Sequence, residues 1–183
     1  MSHPSFLCKD ERKSIKTRIK NMKNTLNTSV SFFRLFQIWE AGKIEPLPYR
    51  GGDSSIVAGT PVIFCFKLPR MLSFGAVMIL FHQQKADGEG DIVREGDLAE
   101  AEYYAGHPLR SEKYIEKEYY IFSPVPLEEC KIYLQKKPPT SPEEWEEREP
   151  EISENILWFY SKEGQRKIKE FLAFCQTLKM WKE

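Results

Sequence analysis

Apolar residues in this chain follow two periods, and the switch between them marks its elements. Phe32, Leu35, Phe36 and Trp39 recur at helical spacing and predict a helix over 31–41. Ser31 stands ahead of it as an N-cap and Gly42 behind it as a stop. Pro46 and Pro48 then forbid a helix and push the chain extended. From 61 to 67, Val62, Phe64 and Phe66 alternate with Ile63, Cys65 and Lys67. Both sides are apolar as far as Lys67, which predicts a central strand covered on both faces. Residues 74–81 predict a second buried strand, with Gly75 at a bulge or bend. Only about five residues join the two runs, so they are predicted to lie side by side.

Upstream, Ile15, Ile19 and Met22 predict one helix over 10–23, a narrow apolar stripe among Lys and Arg. The Asn, Thr and Ser residues of 21–29 read as a polar break. Downstream, 83–90 reads as a loop, with Gly88, Glu89, Gly90 and Asp91 as a turn. A short helix follows over 92–104, then strands over 114–123 and 130–135. Pro138, Pro139, Pro142, Pro150 and a run of Glu mark 136–150 as a surface excursion. Residues 156–160 read as a last strand or the start of the final helix. That helix, over 162–181, aligns Ile168, Leu172, Cys175 and Leu178, with Phe171, Phe174 and Trp181 widening the stripe. The pattern predicts an α+β fold: a small curved mixed β-sheet or pseudobarrel of about five to six strands, flanked by helices. Residues 1–28 form a basic helical arm in this reading, and 29–183 a single domain.

Composition narrows the function classes. The chain of 183 residues is 41% apolar and 13% aromatic, enough to fill a core. Basic and acidic residues number 27 each, so no bulk field draws it to DNA or to an anionic membrane. The charge is uneven, with Lys and Arg clustered over 9–23 and acids over 87–102 and 143–154. The acidic segment 143–154 is a candidate surface for a protein partner. The longest apolar run, 71–81, is far shorter than the roughly 20 residues that span a bilayer. With no apolar leader and four scattered cysteines, a cytoplasmic chain with reduced thiols is expected, and no cofactor. Cys65, Cys130 and Cys175 read as small core residues.

Candidate chemistry is sparse. Three histidines and no Gly-x-Ser-x-Gly elbow argue against a hydrolytic triad. No Cys-x-x-Cys supports zinc, and no glycine-rich loop supports a nucleotide phosphate. A metal-dependent nuclease needs an acid followed by an acid-x-Lys triplet. Glu129, Cys130 and Lys131 form such a triplet, with Asp91, Asp97 or Glu118 as the earlier acid. The segment 39–55 is richer. Trp39, Lys43, Glu45, Tyr49 and Arg50 supply stacking faces, cations and an acceptor, which is how splayed bases of a single strand are held. Any pocket is therefore expected beside 39–55.

Gly42, Lys43, Glu45 and Arg50, then Gly59, Thr60 and the strand from Pro61 to Phe66, resemble the signature of the ASCH and related PUA-like domains. The resemblance covers about residues 29–134. It implies a small pseudobarrel that binds RNA or modified bases, and some members of the family are hydrolases. The expected function is a nucleic-acid-binding module whose partner is single-stranded RNA or DNA. The alternatives are the nuclease that uses Glu129 and Lys131, and a non-catalytic protein-interaction subunit.

Overall fold

A computed structural model describes residues 25–67, 75–81, 84–95 and 113–181. The basic helix expected over 10–23 and most of that expected over 92–104 lie outside the described residues.

The fold is α+β. Strand β1 (Leu26–Val30) leads into helix α1 (Phe32–Ala41). Local capping sets both ends of this helix. Ser31 Oγ accepts from the Arg34 amide at 3.1 Å, and Gly42 turns left-handed at φ 72°. Two short strands follow, β2 (Lys43–Ile44) and β3 (Leu47–Pro48), then β4 (Pro61–Cys65) and β5 (Val77–Phe81). A long ribbon pairs β6 (Gly88–Glu95) with β7 (Lys113–Ile121). After β8 (Val125–Pro126), a 3-10 turn at Leu127–Glu129 enters β9 (Cys130–Leu134). The C-terminal part is helical: α2 (Pro142–Arg148), a 3-10 turn at Pro150–Asn155, α3 (Ile156–Tyr160) and α4 (Lys162–Gln176). Strand β10 (Lys179–Met180) comes last.

Among the described residues, the strands form two four-stranded sheets, β1-β5-β9-β10 and β3-β4-β7-β6, and a two-stranded pair, β2-β8. None closes into a barrel. The first sheet is mixed, because β10 runs parallel to β9. One residue pair ties the two large sheets together. Asn27 and Phe66 exchange both backbone hydrogen bonds at 2.8 Å, and Asn27 Nδ2 adds a third to the Phe66 carbonyl at 2.9 Å.

Several expectations need correction. The runs 61–67 and 73–81 are not neighbours, because β5 pairs with β1 and β9, and β4 with β3 and β7. Strand β1 takes the place between them. It comes from the stretch read as a polar break, and the 28/29 division falls inside it. Its buried Asn27 is held by the bridge to Phe66, which takes its backbone groups and its Nδ2, while Oδ1 has no hydrogen-bond partner among the described residues. Residues 88–91 and the start of the expected helix over 92–104 are strand, held in register against Tyr114 to Tyr120. The excursion 136–150 contains α2, whose Trp145 is fully buried. The final helix stops at Gln176, and the chain re-enters the sheet as β10.

The helices cover one side of the core with aromatic rings. Phe36 lies 5.4 Å from Phe171 and within 6.1 Å of Trp39, Trp145, Trp158 and Phe159. Buried Glu149 ties α2 to α1 by accepting the Phe32 amide at 3.0 Å. Among the described residues no helix is long and apolar enough to cross a membrane.

Candidate functional site

Backbone groups alternate sides along a strand, so Thr60, Val62, Phe64 and Phe66 direct theirs to the edge of β4 away from β7. Strand β3 covers the first part of that edge: Leu47 pairs with Val62, and the Tyr49 amide reaches the Thr60 carbonyl at 3.0 Å. The bridge to β1 covers the last part, at Phe66. Between them β1 and β3 part company, and Phe64 faces the gap. A cleft opens there.

The larger lobe holds about 560 Å³ and is lined by Arg34, Glu45, Leu47, Tyr49, Arg50 and Phe64, among others. A second lobe of about 350 Å³ is lined by Gly51, Gly52, Asp53, Ser54, Ile92 and Glu118, among others. The two share Thr28, Ser29, Tyr49 and Phe64. Both volumes fall in the range of roughly 300–1,000 Å³ usual for small-molecule sites.

Tyr49 organises the junction. Its ring meets Phe64 edge-on at 5.1 Å, and its hydroxyl accepts the Ser54 amide at 3.1 Å. Gly52 runs close beneath that hydroxyl at φ 146°, where a Cβ would stand 3.0 Å from it. The loop is closed at its base, where the Gly59 amide donates to the Tyr49 carbonyl at 2.7 Å.

Polar groups converge on the smaller lobe. Glu118 is 2% exposed, and its Oε1 accepts from Ser54 Oγ at 2.5 Å and from Tyr120 Oη at 2.9 Å. The Tyr120 hydroxyl also meets Ser55 Oγ at 3.0 Å. Burial, more than the neighbouring Glu118, pushes the Tyr120 phenol above its ordinary pKa. Gly90 pairs with Glu118 across the ribbon, and a Cβ there would overlap the Tyr120 hydroxyl oxygen. The glycine therefore makes room for the group that orients the carboxylate. In the larger lobe, Arg34 Nη2 donates to the Glu45 carbonyl at 2.8 Å. Burial lowers the Arg34 pKa, while the charges of Glu45 and Glu151 oppose that shift.

Three of the five expected site residues meet in this cleft: Glu45, Tyr49 and Arg50. The other two are elsewhere. Trp39 belongs to the aromatic layer, 5.6 Å from Phe171 and stacked on Phe174 at 6.2 Å. Lys43 is exposed on β2 and pairs with Glu45 at 2.8 Å. Ser54 and Tyr120 carry no sequence signal as site residues, and Glu118 carries one only as a metal ligand. Strand parity is the signal that finds Glu118, because it shares the inward face of β7 with Tyr120.

Glu129 is exposed at the end of its 3-10 turn, and Lys131 lies over the Tyr133 ring at 5.3 Å. Among the described residues no group of three His, Cys, Asp or Glu is placed to hold a metal ion. Cys65 and Cys175 are buried, and burial pushes the Cys130 and Cys175 thiols up to about 12, so neither of these two is a ready nucleophile. The apolar face of α4 is turned inward through Ile168, Phe171 and Cys175.

No family model, no curated protein and no solved structure matches the chain.

Proposed function

We propose that this protein is a nucleic-acid-binding module that takes a base of single-stranded RNA or DNA, ordinary or modified, into the cleft between β1 and β3. The observation that carries the reading is the cleft itself. It joins aromatic faces, a buried hydrogen-bonding lobe and two arginines along one open stretch of strand edge. A flat heteroaromatic ring stacks on Tyr49 or Phe64, since every base offers a π-face. Arg50 and Arg34 then meet the phosphate side, where guanidinium groups bind well. Lys43 and Trp39 have no direct part.

The test is a titration of short single-stranded RNA and DNA at two salt concentrations. Arg50→Ala is expected to weaken every strand and to flatten the salt dependence. Tyr49→Ala is expected to weaken binding with the salt slope unchanged. Strands that bind a variant combining Tyr49→Ala with Arg50→Ala as tightly as the natural chain would remove this reading.

A further inference from the structure

This inference rests on the cleft being a base pocket. We propose that its smaller lobe selects guanine, and that Glu118 reads the guanine edge.

Glu118 sits on the floor of the lobe, almost wholly screened from water. Its two hydroxyl partners, Ser54 and Tyr120, both donate to the same oxygen, Oε1. The other oxygen, Oε2, is the one that meets the ligand. A carboxylate accepts hydrogen bonds over two oxygens and about four lone-pair positions, so two donors leave it unsaturated. Ser54 Oγ is held by the Ile56 amide at 3.2 Å, which fixes the carboxylate's near side. Tyr120 is fixed in turn by Ser55 and by the space that Gly90 leaves.

A carboxylate as buried as that of Glu118 demands donors. Guanine carries two side by side, N1–H and the N2 amino group. Adenine and cytosine each set one amino donor beside a ring-nitrogen acceptor. Uracil sets its single N–H between two carbonyls. An acceptor turned toward Glu118 meets like partial charge where little water screens it, so these bases are rejected. The walls fit the same ligand. Ile92 and Phe66 are apolar, and Tyr49 with Phe64 offers one ring face and one ring edge rather than a closed cage.

The experiment uses the full chain with the 5′-monophosphates of guanosine, inosine, adenosine and uridine, and with oligouridine strands carrying one G or one A. Calorimetry or fluorescence anisotropy gives the affinities. Guanosine is expected to bind at least about tenfold tighter than adenosine or uridine. Inosine keeps N1–H and loses the amino group, so it should fall between. Glu118→Gln keeps the shape of the side chain but presents an amide donor, and should remove the guanine preference. The inosine comparison needs no variant, so a folding defect in Glu118→Gln cannot rescue the idea. A G-containing strand that binds more tightly than the A-containing strand, while free guanosine monophosphate does not bind, would place the ligand in a polymer, with guanine selection intact. Equal binding of all bases, still weakened by Arg50→Ala, would overturn guanine selection and leave the base pocket standing. A guanine preference that survives in Glu118→Gln would likewise remove Glu118 as the reader and leave the pocket in place. Failure of every nucleotide and strand to bind at low salt would overturn both.

Discussion

The helical layer and the cleft are both built from aromatic rings, but the rings are arranged differently. In the layer, Phe36 is surrounded by Trp39, Trp145, Trp158, Phe159 and Phe171, and the cluster closes on itself. Beside the cleft the rings run in a row. Tyr49 meets Phe64 at 5.1 Å, Phe64 meets Tyr120 at 5.9 Å, and Tyr120 meets Phe122 at 6.2 Å. A closed cluster satisfies its own surfaces. The row is partly open, at Tyr49, Phe64 and Phe122 but not at buried Tyr120, and its two tyrosines also carry hydroxyls bonded to the loop and to Glu118. Loss of a ring should therefore cost stability in the first region and binding in the second.

The sharpest way to break this contrast is Trp145→Ala. Removing a fully buried indole should cost about 3–5 kcal/mol, read by chemical denaturation. A loss below about 1 kcal/mol would mean the helical layer is not core. Gly164→Ala comes next. Gly164 is buried in the first turn of α4, where a Cβ would overlap the Trp158 carbonyl, so the α3–α4 elbow must shift. A cost of about 1–3 kcal/mol is expected, and a neutral result would show a slack elbow. Tyr49→Ala should weaken single-strand binding by about 1–3 kcal/mol, while losing less stability than Trp145→Ala. The opposite ranking would dissolve the distinction between cluster and row.

Glu149 gives a weaker, pH-dependent effect. Burial, as the largest influence, raises its pKa above the ordinary carboxylate value. The folded state then holds a proton that the unfolded state has released. Stability falls as pH rises through the window above the ordinary Glu value. Glu149→Gln keeps an acceptor for the Phe32 amide and should flatten that fall in thermal melts across pH. The smallest effect belongs to Lys43→Ala. Its ion pair with Glu45 is solvent-exposed, so about 0.2–1 kcal/mol at most is expected. Strand binding should be unchanged, and a large loss there would return Lys43 to the site.

Local signals made part of this legible. Ser31 and Gly42 mark the ends of α1 by chemistry that acts within one turn. The runs around Val62 and Ile79 are apolar enough to be strands in any setting. Strand β1 escaped because only Leu26 and Val30 at its ends are apolar, and its middle is buried through a hydrogen-bonded bridge to Phe66. Such pairing exists only in the tertiary structure. Helix α2 did carry local signals: Ser141 as N-cap, Pro142 at the first position, then Glu143 and Glu144. The surrounding prolines and acids hid a lone Trp145. Half of the site was legible because Glu45, Tyr49 and Arg50 lie in one segment. Glu118 joins them from a distant strand, across a cleft that exists only because β1 and β3 diverge.

The pairing of β10 with β9 has a consequence in time. The Trp181 amide bonds the Leu134 carbonyl at 2.8 Å, and the buried indole packs on Tyr133 at 5.5 Å. Until residues 179–181 have been synthesised, β9 lacks its outer neighbour. A ribosome adds roughly 5–20 residues per second, so that edge stays bare for seconds. A bare strand edge is a template for pairing with another chain. Slow translation between Leu134 and Trp181 would lengthen that exposure, and aggregation of the nascent protein should rise with it.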